Sequence, residues 1–517
     1  MGGGGFATSV GKGVGPECSK SRLGCPDEEV LGGMMPPNYG GTVSSTTLYW
    51  HDYETWGTDP GADKPAQFAG IRTDEELNIV GEPLMIYCRP SVDCLPQPMA
   101  SLVTGISPQK ALANGVPEIE FIQRILAELG APGTCGVGFN SLRFDDEVTR
   151  YTLYRNLLDP YEREWRSGNS RWDIIDMVRL TYALRPEGIQ WPTRKDGAPS
   201  FRLEELTAAN GISHEGAHDA LSDVHATIDM ARLIRKQQPK LYDYVFRLRR
   251  KQEAAKMIDM RERRPLLHIS GKVSANHGHL TYVMPLASHP VNRNAVIVAN
   301  LAMDPEPLLS LDADTLRERL YTSRDKLGEG ELPVGLKLVH LNKCPVLAPA
   351  NMLDDKRAAE LGIDRTTCEE NWQKLKDIDL TEKLHNVFLD REFPERDVEA
   401  DLYGGFLSDS DRDICRELHR GLAARGPEAL AGEVPFADKR LPELLFRMRA
   451  RNFPETLSEE EHQRWQIWCF QRLTDATAGA SITLEDYFRQ LSELRVQHPE
   501  RISLITELEN WGDSLLA

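Results

Sequence analysis

The sequence predicts an α/β chain in three folded regions, and three observations carry that reading. Strand-like and helix-like segments alternate from Thr46 to Pro239, and short apolar β-type runs broken by Pro and Gly fill 265–350. After about residue 390 the pattern becomes charged, amphipathic and helical. The expected boundaries are a Gly-rich tail at 1–45, an α/β domain at 46–238, a small β-rich domain at 239–390 and a helical domain at 391–517.

Residues 1–45 open with Gly2-Gly3-Gly4-Gly5 and show no periodic apolar pattern. Glycine loses much entropy on ordering and buries little, so a flexible, disordered tail is expected. The segment lacks the charged start and apolar core of a secretory signal. Met34 and Met35 precede the folded region, which leaves open a start upstream of the working one.

The folded pattern begins with Thr47-Leu48-Tyr49-Trp50-His51, which reads as a buried strand. Ala66 to Arg72 and Pro83 to Cys88 read as two more, joined by a hairpin. Pro117 to Leu129 carries apolar residues at 119, 122, 125, 126 and 129, a helical spacing with Pro near its start. Thr134 to Phe139 reads as a short strand leading into a helix over Asp145 to Leu158. Trp172 to Tyr182 reads as an amphipathic helix, and Ser200 with Leu203, Leu206 and Gly211 as a capped helix with a glycine stop. His218 to Gln237 is the longest helix of this region, with Leu221, Val224, Ile228 and Ala231 on one stripe, ended by Pro239.

Charge narrows the function classes. The chain has 61 Lys and Arg against 79 Asp and Glu, a net of −18, which argues against a polybasic nucleic-acid coat or a charge-held membrane protein. A local basic track is not excluded, since steering depends on where charge sits. No run of about 18 apolar residues occurs, so no membrane helix is expected. Nine cysteines without C-x-x-C spacing read as reduced thiols, hence a cytoplasmic location, rather than a disulfide framework or zinc site.

Three local patterns carry chemistry. In His51-Asp52-Tyr53-Glu54-Thr55 the acids are two apart, so on an extended strand both carboxylates point to one face. They repel unless a cation sits between them, and Mg²⁺ or Mn²⁺ prefers such oxygen ligands. Alone, D-x-E is equally a solvated turn. Asn140-Ser141-Leu142-Arg143-Phe144-Asp145 follows a strand and ends on an acid at a helix start, which ordinary helix-dipole preference also explains. His218 and Asp223, five apart, can approach one cavity, though an isolated pair is as readily a cap and a surface histidine.

In that order and spacing the three patterns resemble the DEDDh class of 3′→5′ exonucleases, whose fold resembles that of ribonuclease H. The resemblance implies Asp52, Glu54, Asp145 and Asp223 as ligands for two Mg²⁺ ions (Mn²⁺ possible), with His218 as general base. Four carboxylates would offset four positive charges. Asp146, Glu147 and Asp219 have no assigned role and read as solvated or structural.

Longer segments are similar to bacterial exodeoxyribonuclease I. They include His51 to Gly57, Pro65 to Ala69, Arg143 to Arg150, Ala183 to Ile189, Ser200 to Glu204, His289 to Asn294, Asp314 to Tyr321, Lys337 to Pro345 and Arg449 to Pro454. This likeness runs from about Thr46 to the C-terminus. It implies an SH3-like second domain, a helical third domain, and a processive monomeric enzyme clamped over single-stranded DNA. The implied reaction releases 5′-mononucleotides from the 3′ end. A partner is implied too: the acidic C-terminal tail of single-stranded DNA-binding protein.

A strand-tracking groove needs cations for phosphates and flat side chains for bases. Residues 232–272 hold 13 Lys and Arg against 4 Asp and Glu, among them Arg247, Arg249, Arg250, Lys251, Arg261, Arg263 and Arg264. This run reads either as part of the DNA track or as a solvated helix end and linker. Arg150, Tyr161, Trp165, Arg179, Arg202, Asn294 and Lys337 lie in segments with the family look and are substrate-contact candidates, with Glu54 serving both metal and substrate. Two rivals remain: a DEDDh ribonuclease and a non-catalytic single-stranded DNA clamp. The roughly 280 residues after Pro239 argue against the first, because such ribonucleases are usually compact single domains. The intact acid set argues against the second.

Overall fold

The computed structural model describes residues 46–214, 216, 219–389 and 396–516. The disorder expected for 1–45 falls outside the described residues, and so does His218.

A five-stranded sheet organises the first region: β1 (Thr47–Thr55), β2 (Pro65–Thr73), β3 (Leu84–Tyr87), β4 (Thr134–Gly138) and β5 (Ser170–Asp173), in the order β3-β2-β1-β4-β5. β2 runs antiparallel to both β1 and β3, while β1, β4 and β5 are parallel. Central β1 shows why its sequence is apolar on both faces. Tyr49 and Tyr53 pack with Phe68 and with Phe121, Ile122 and Ile125 of the Glu118–Leu129 helix. Leu48 and Trp50 point the other way, into a core shared with Val224, Ile228 and Ala231 of the Ala220–Gln237 helix. Period-two alternation therefore puts Asp52 and Glu54 on the face that this long helix covers. Trp50 is fully buried and its indole N–H donates to Thr73 Oγ1 at 2.9 Å, as a buried indole requires.

Two expectations are corrected here. Trp172 to Tyr182 is not one helix: it divides into strand β5 and the Ile175–Leu184 helix. β5 pairs in parallel with β4, and a covered parallel strand lacks the polar alternation that would mark it. Ser200 is not a helix cap either. The next helix spans Leu203–Ala209 with Arg202 at its N-cap position and no side-chain cap.

A second, wholly antiparallel sheet follows: β6 (Leu266–Ile269), β7 (Leu280–Ser288), β8 (Ala295–Asn300), β9 (Leu336–His340) and β10 (Leu347–Pro349), ordered β10-β6-β7-β8-β9. The region also carries helices the apolar runs did not mark, among them Ala313–Tyr321, Arg365–Leu375 and Thr381–Phe388. It covers the edge of the first sheet at β5. Arg171 donates to Asn342 O at 3.1 Å, and Cys344 Sγ lies 3.0 Å from Arg171 O. Arg249, from the basic run, is buried at this seam, its guanidinium 3.5 Å from the Phe246 ring centroid.

The last region is helical, with long helices at Asp409–Arg425, Leu441–Asn452, Glu459–Thr474, Leu484–Gln497 and Ile502–Ser514. It meets the first region through a buried ion cluster. Lys64 Nζ lies 3.0 Å from Glu399 and 3.6 Å from Asp93, and Arg451 reaches Asp93 at 2.9 Å and also contacts Glu399. Among the described residues no helix is long and apolar enough to cross a membrane. The seven described cysteines are free and buried.

Candidate active site

Three elements deliver the acids. β1 supplies Asp52 and Glu54 at its C-terminal end, and the first turn of the Ala220–Gln237 helix supplies Asp223. One carboxylate oxygen from each lies within 4.8 Å of the others. Asp145 opens the Asp145–Arg155 helix beside this trio, and one of its oxygens accepts the Tyr53 N–H at 3.1 Å. Both helices present N-termini to the acids, so their dipoles offset part of the repulsion.

The turn that aims Asp145 is built from backbone. A Cβ on Gly138 would fall 2.6 Å from the Ser141 Cβ, so this close approach requires glycine. Asn140 takes a left-handed φ of 63°. Asp173, at the end of β5, accepts N–H bonds from Asn140 at 2.8 Å, Ile175 at 3.0 Å and Leu142 at 3.2 Å. It thereby clamps the 140–142 loop, a role without a sequence signal because β5 itself was read as helix.

The electrostatics are those of buried acids crowded together. Burial, then Asp145, Glu54 and Asp223, hold the Asp52 carboxyl well above the usual range. Burial and the charges of Asp223 and Asp145 push Glu54 up to about 9. Burial pushes Asp145 up to about 8, with backbone amides pulling the other way. An all-oxygen donor set with this excess of negative charge fits a hard divalent cation.

The neighbouring acids are structural. Asp146 is buried between Arg163 at 2.6 Å and Arg171 at 3.0 Å. Glu147 pairs with Arg150 at 2.8 Å, and Asp219 is the N-cap of the Ala220–Gln237 helix.

The substrate-contact candidates fall into separate groups. Arg150 is almost fully buried, bonded to Glu164 at 2.7 Å and to Tyr403 Oη at 3.0 Å, and lies over the Tyr161 ring. Tyr161 meets Phe406 edge-on, and Trp165 nearby in sequence is 66% exposed. Phe406 and Tyr403, from the third region, complete an exposed aromatic group that sequence reasoning missed; only the fold brings them to Tyr161. A second group is cationic. Arg143 and Arg179 both reach the Gly271 backbone closely enough that a Cβ there would meet them at 3.0 and 3.3 Å. Lys337 Nζ is buried without a hydrogen-bond partner among the described residues, and burial, then the charges of Lys272 and Arg143, lower it to about 8. Arg143 and Lys272 were not singled out from sequence. Elsewhere, Lys251 contacts Asn294 Oδ1, and Arg202 is largely exposed, its nearest acid Glu204 at 3.9 Å.

A carboxylate trio at the end of a central strand, a fourth acid at a helix start, and the β3-β2-β1-β4-β5 sheet define a ribonuclease H-like exonuclease domain. Residues 49–231 match the exonuclease family model, 249–390 the exonuclease I SH3-like domain, and 396–515 the exonuclease I C-terminal domain. The chain is 51% identical over 477 residues to exodeoxyribonuclease I of Escherichia coli K12, covering 91% of this chain and 98% of that one. Exonuclease I from Methylocaldum szegediense superposes with a TM-score of 0.87 at 48% identity, over 91% of this chain and 100% of that one. The zinc-bound E. coli exonuclease I–single-stranded DNA complex gives 0.86 at 47% identity, with the same coverages. This chain belongs to the exodeoxyribonuclease I family.

Proposed function

We propose that the chain is a single-stranded DNA-specific 3′→5′ exodeoxyribonuclease that releases 5′-mononucleotides and serves DNA repair and recombination. The convergence of Asp52, Glu54 and Asp223 carries this reading, since the trio offers three oxygen ligands at one point. Asp52, Glu54, Asp145 and Asp223 would hold Mg²⁺, two ions by the charge balance, with Mn²⁺ an acceptable substitute. Such ions, when bound, lower the pKa of an attacking water and stabilise a leaving 3′-oxygen.

The chain's own residues do the rest. His218, five residues before Asp223, is the general base that takes the water's proton, a task suited to imidazole near neutrality. Asp145 is fixed by the Tyr53 amide, so a ligand oxygen stays in place as the strand advances. Lys337 and Arg179 take backbone phosphates where the first two regions meet, and an unpaired buried ammonium suits an incoming anion. Tyr161 and Trp165 stack bases, with Arg150 holding the Tyr161 ring. Arg202, Lys251, Asn294 and Glu54 add contacts along the strand. The domains divide at 46–238, 239–390 and 391–517. The enzyme works as a cytoplasmic monomer and is recruited by the acidic tail of single-stranded DNA-binding protein.

Digestion of matched single-stranded DNA and RNA tests the reading, each blocked at its 3′ or 5′ end and followed with and without Mg²⁺. Metal-dependent mononucleotide release from DNA with a free 3′ end is the expected result. Faster loss of RNA, or release from 3′-blocked DNA, would overturn it.

A further inference from the structure

We propose that His214 is a positioning residue for the metal centre, holding the Asp223 carboxylate in its ligating orientation. His214 lies in the loop between the Leu203–Ala209 and Ala220–Gln237 helices. Its Nε2 contacts Asp223 Oδ1, and its Nδ1 lies 3.1 Å from the Thr207 hydroxyl. Thr207 is fully buried, and its Oγ1 lies 2.9 Å from Leu203 O and 3.0 Å from Glu204 O. The imidazole side chain is only 8% exposed. With Nε2–H donating to the carboxylate, Nδ1 accepts the Thr207 hydroxyl proton, so a buried hydroxyl on the Leu203–Ala209 helix anchors a packed ring whose far side holds one oxygen of a carboxylate in the trio.

The physical consequence follows from where Asp223 sits. It is in the first turn of its helix, on the side facing Asp52 and Glu54, and those acids repel it. The His214 contact restricts the χ torsions through which the carboxylate could swing away from the like charges. A ring anchored at its far nitrogen removes that freedom before any cation arrives. Outer partners that orient ligands in this way typically contribute about 10- to 100-fold in metal affinity or activity. The inference rests on reading the trio as a metal centre, and the experiment separates the two.

Binding of MnCl₂ alone to the full chain, read from the electron paramagnetic resonance signal of free Mn²⁺, is compared for wild type, His214→Ala, His214→Gln, Thr207→Val and Asp223→Ala. Thermal melts check folding. His214→Ala is expected to weaken Mn²⁺ binding about 10- to 100-fold. His214→Gln, which keeps an amide donor for Asp223, recovers most of the loss. Thr207→Val shifts affinity in the same direction as His214→Ala, and serves if that variant does not fold. Nucleotide release by His214→Ala should need more Mn²⁺ for half-saturation but approach the wild-type maximum when saturated. Wild-type Mn²⁺ affinity in both His214→Ala and Thr207→Val, with binding lost in Asp223→Ala, overturns the role of His214 alone. Wild-type affinity in Asp223→Ala overturns the metal-centre reading and the inference with it.

Discussion

Asp145 and Asp146 are adjacent in the first turn of one helix, and their carboxylates sit in opposite electrostatic environments. Asp145 faces the acid trio and is pushed up to about 8, whereas Asp146 lies between Arg163 and Arg171, which hold it far below the carboxylate range. One residue of helical rotation separates a proposed ligand from a structural anchor.

Substitutions at the two positions should therefore separate. Asp146→Asn leaves two buried guanidiniums without their counter-charge and is expected to cost about 3–5 kcal/mol of stability. Asp145→Asn removes a repelling charge, so the metal-free protein should be no less stable, while nucleotide release falls by about 100-fold or more. Thermal melts and release assays on both variants check this. Equal stabilities would contradict it.

The raised acids give the metal-free protein a signed pH dependence. A carboxyl whose folded pKa lies above its unfolded value is protonated preferentially in the folded state, so stability falls as pH rises between the two values. For Glu54 that window runs from about 4.5, the ordinary value, to about 9. Glu54→Gln should flatten the decline and raise stability near pH 8 by on the order of 1–3 kcal/mol. Melting temperatures across pH 5–9 in chelator provide the measurement, and added Mn²⁺ should abolish the decline in wild type.

The buried ion cluster has the opposite sign. Arg451 and Lys64 hold Asp93 and Glu399 well below the usual range. Their stabilisation is present above the ordinary carboxylate value near 4 and is lost as pH falls toward the depressed folded values. Arg451→Leu should destabilise by about 3–5 kcal/mol at pH 7. It should also narrow the difference in melting temperature between pH 7 and pH 4.

The two substrate groups should differ in salt response. Trp165→Ala, which removes an exposed stacking surface, should weaken single-stranded DNA binding by about 1–3 kcal/mol with little change in salt dependence. Lys337→Gln should lower the slope of log affinity against log salt by about 0.7. Fluorescence anisotropy with a labelled oligonucleotide at several salt concentrations distinguishes them.

Much of the site was legible because strand geometry is simple. Asp52 and Glu54 had to share a face of β1, and the Leu221-Val224-Ile228-Ala231 stripe located the helix that carries Asp223. What stayed hidden depends on pairing between distant segments. β5 merged with the helix after it because a covered parallel strand shows no polar alternation to set Trp172-Asp173 apart from Ile174-Ile175. The partners of Arg150, a substrate-contact candidate by sequence, emerge only where the fold brings Glu164 and Tyr403 around it. His214 carried no motif, and its contact with Asp223 exists only because two helices meet at that loop.

The most direct test of the proposed catalytic centre is Asp223→Ala assayed on single-stranded DNA with a free 3′ end in Mg²⁺, with binding to the same oligonucleotide measured in parallel. Nucleotide release should fall by at least about 1,000-fold while DNA binding remains measurable. Undiminished release would contradict the assignment of Asp223, and with it the metal centre on which the mechanism stands.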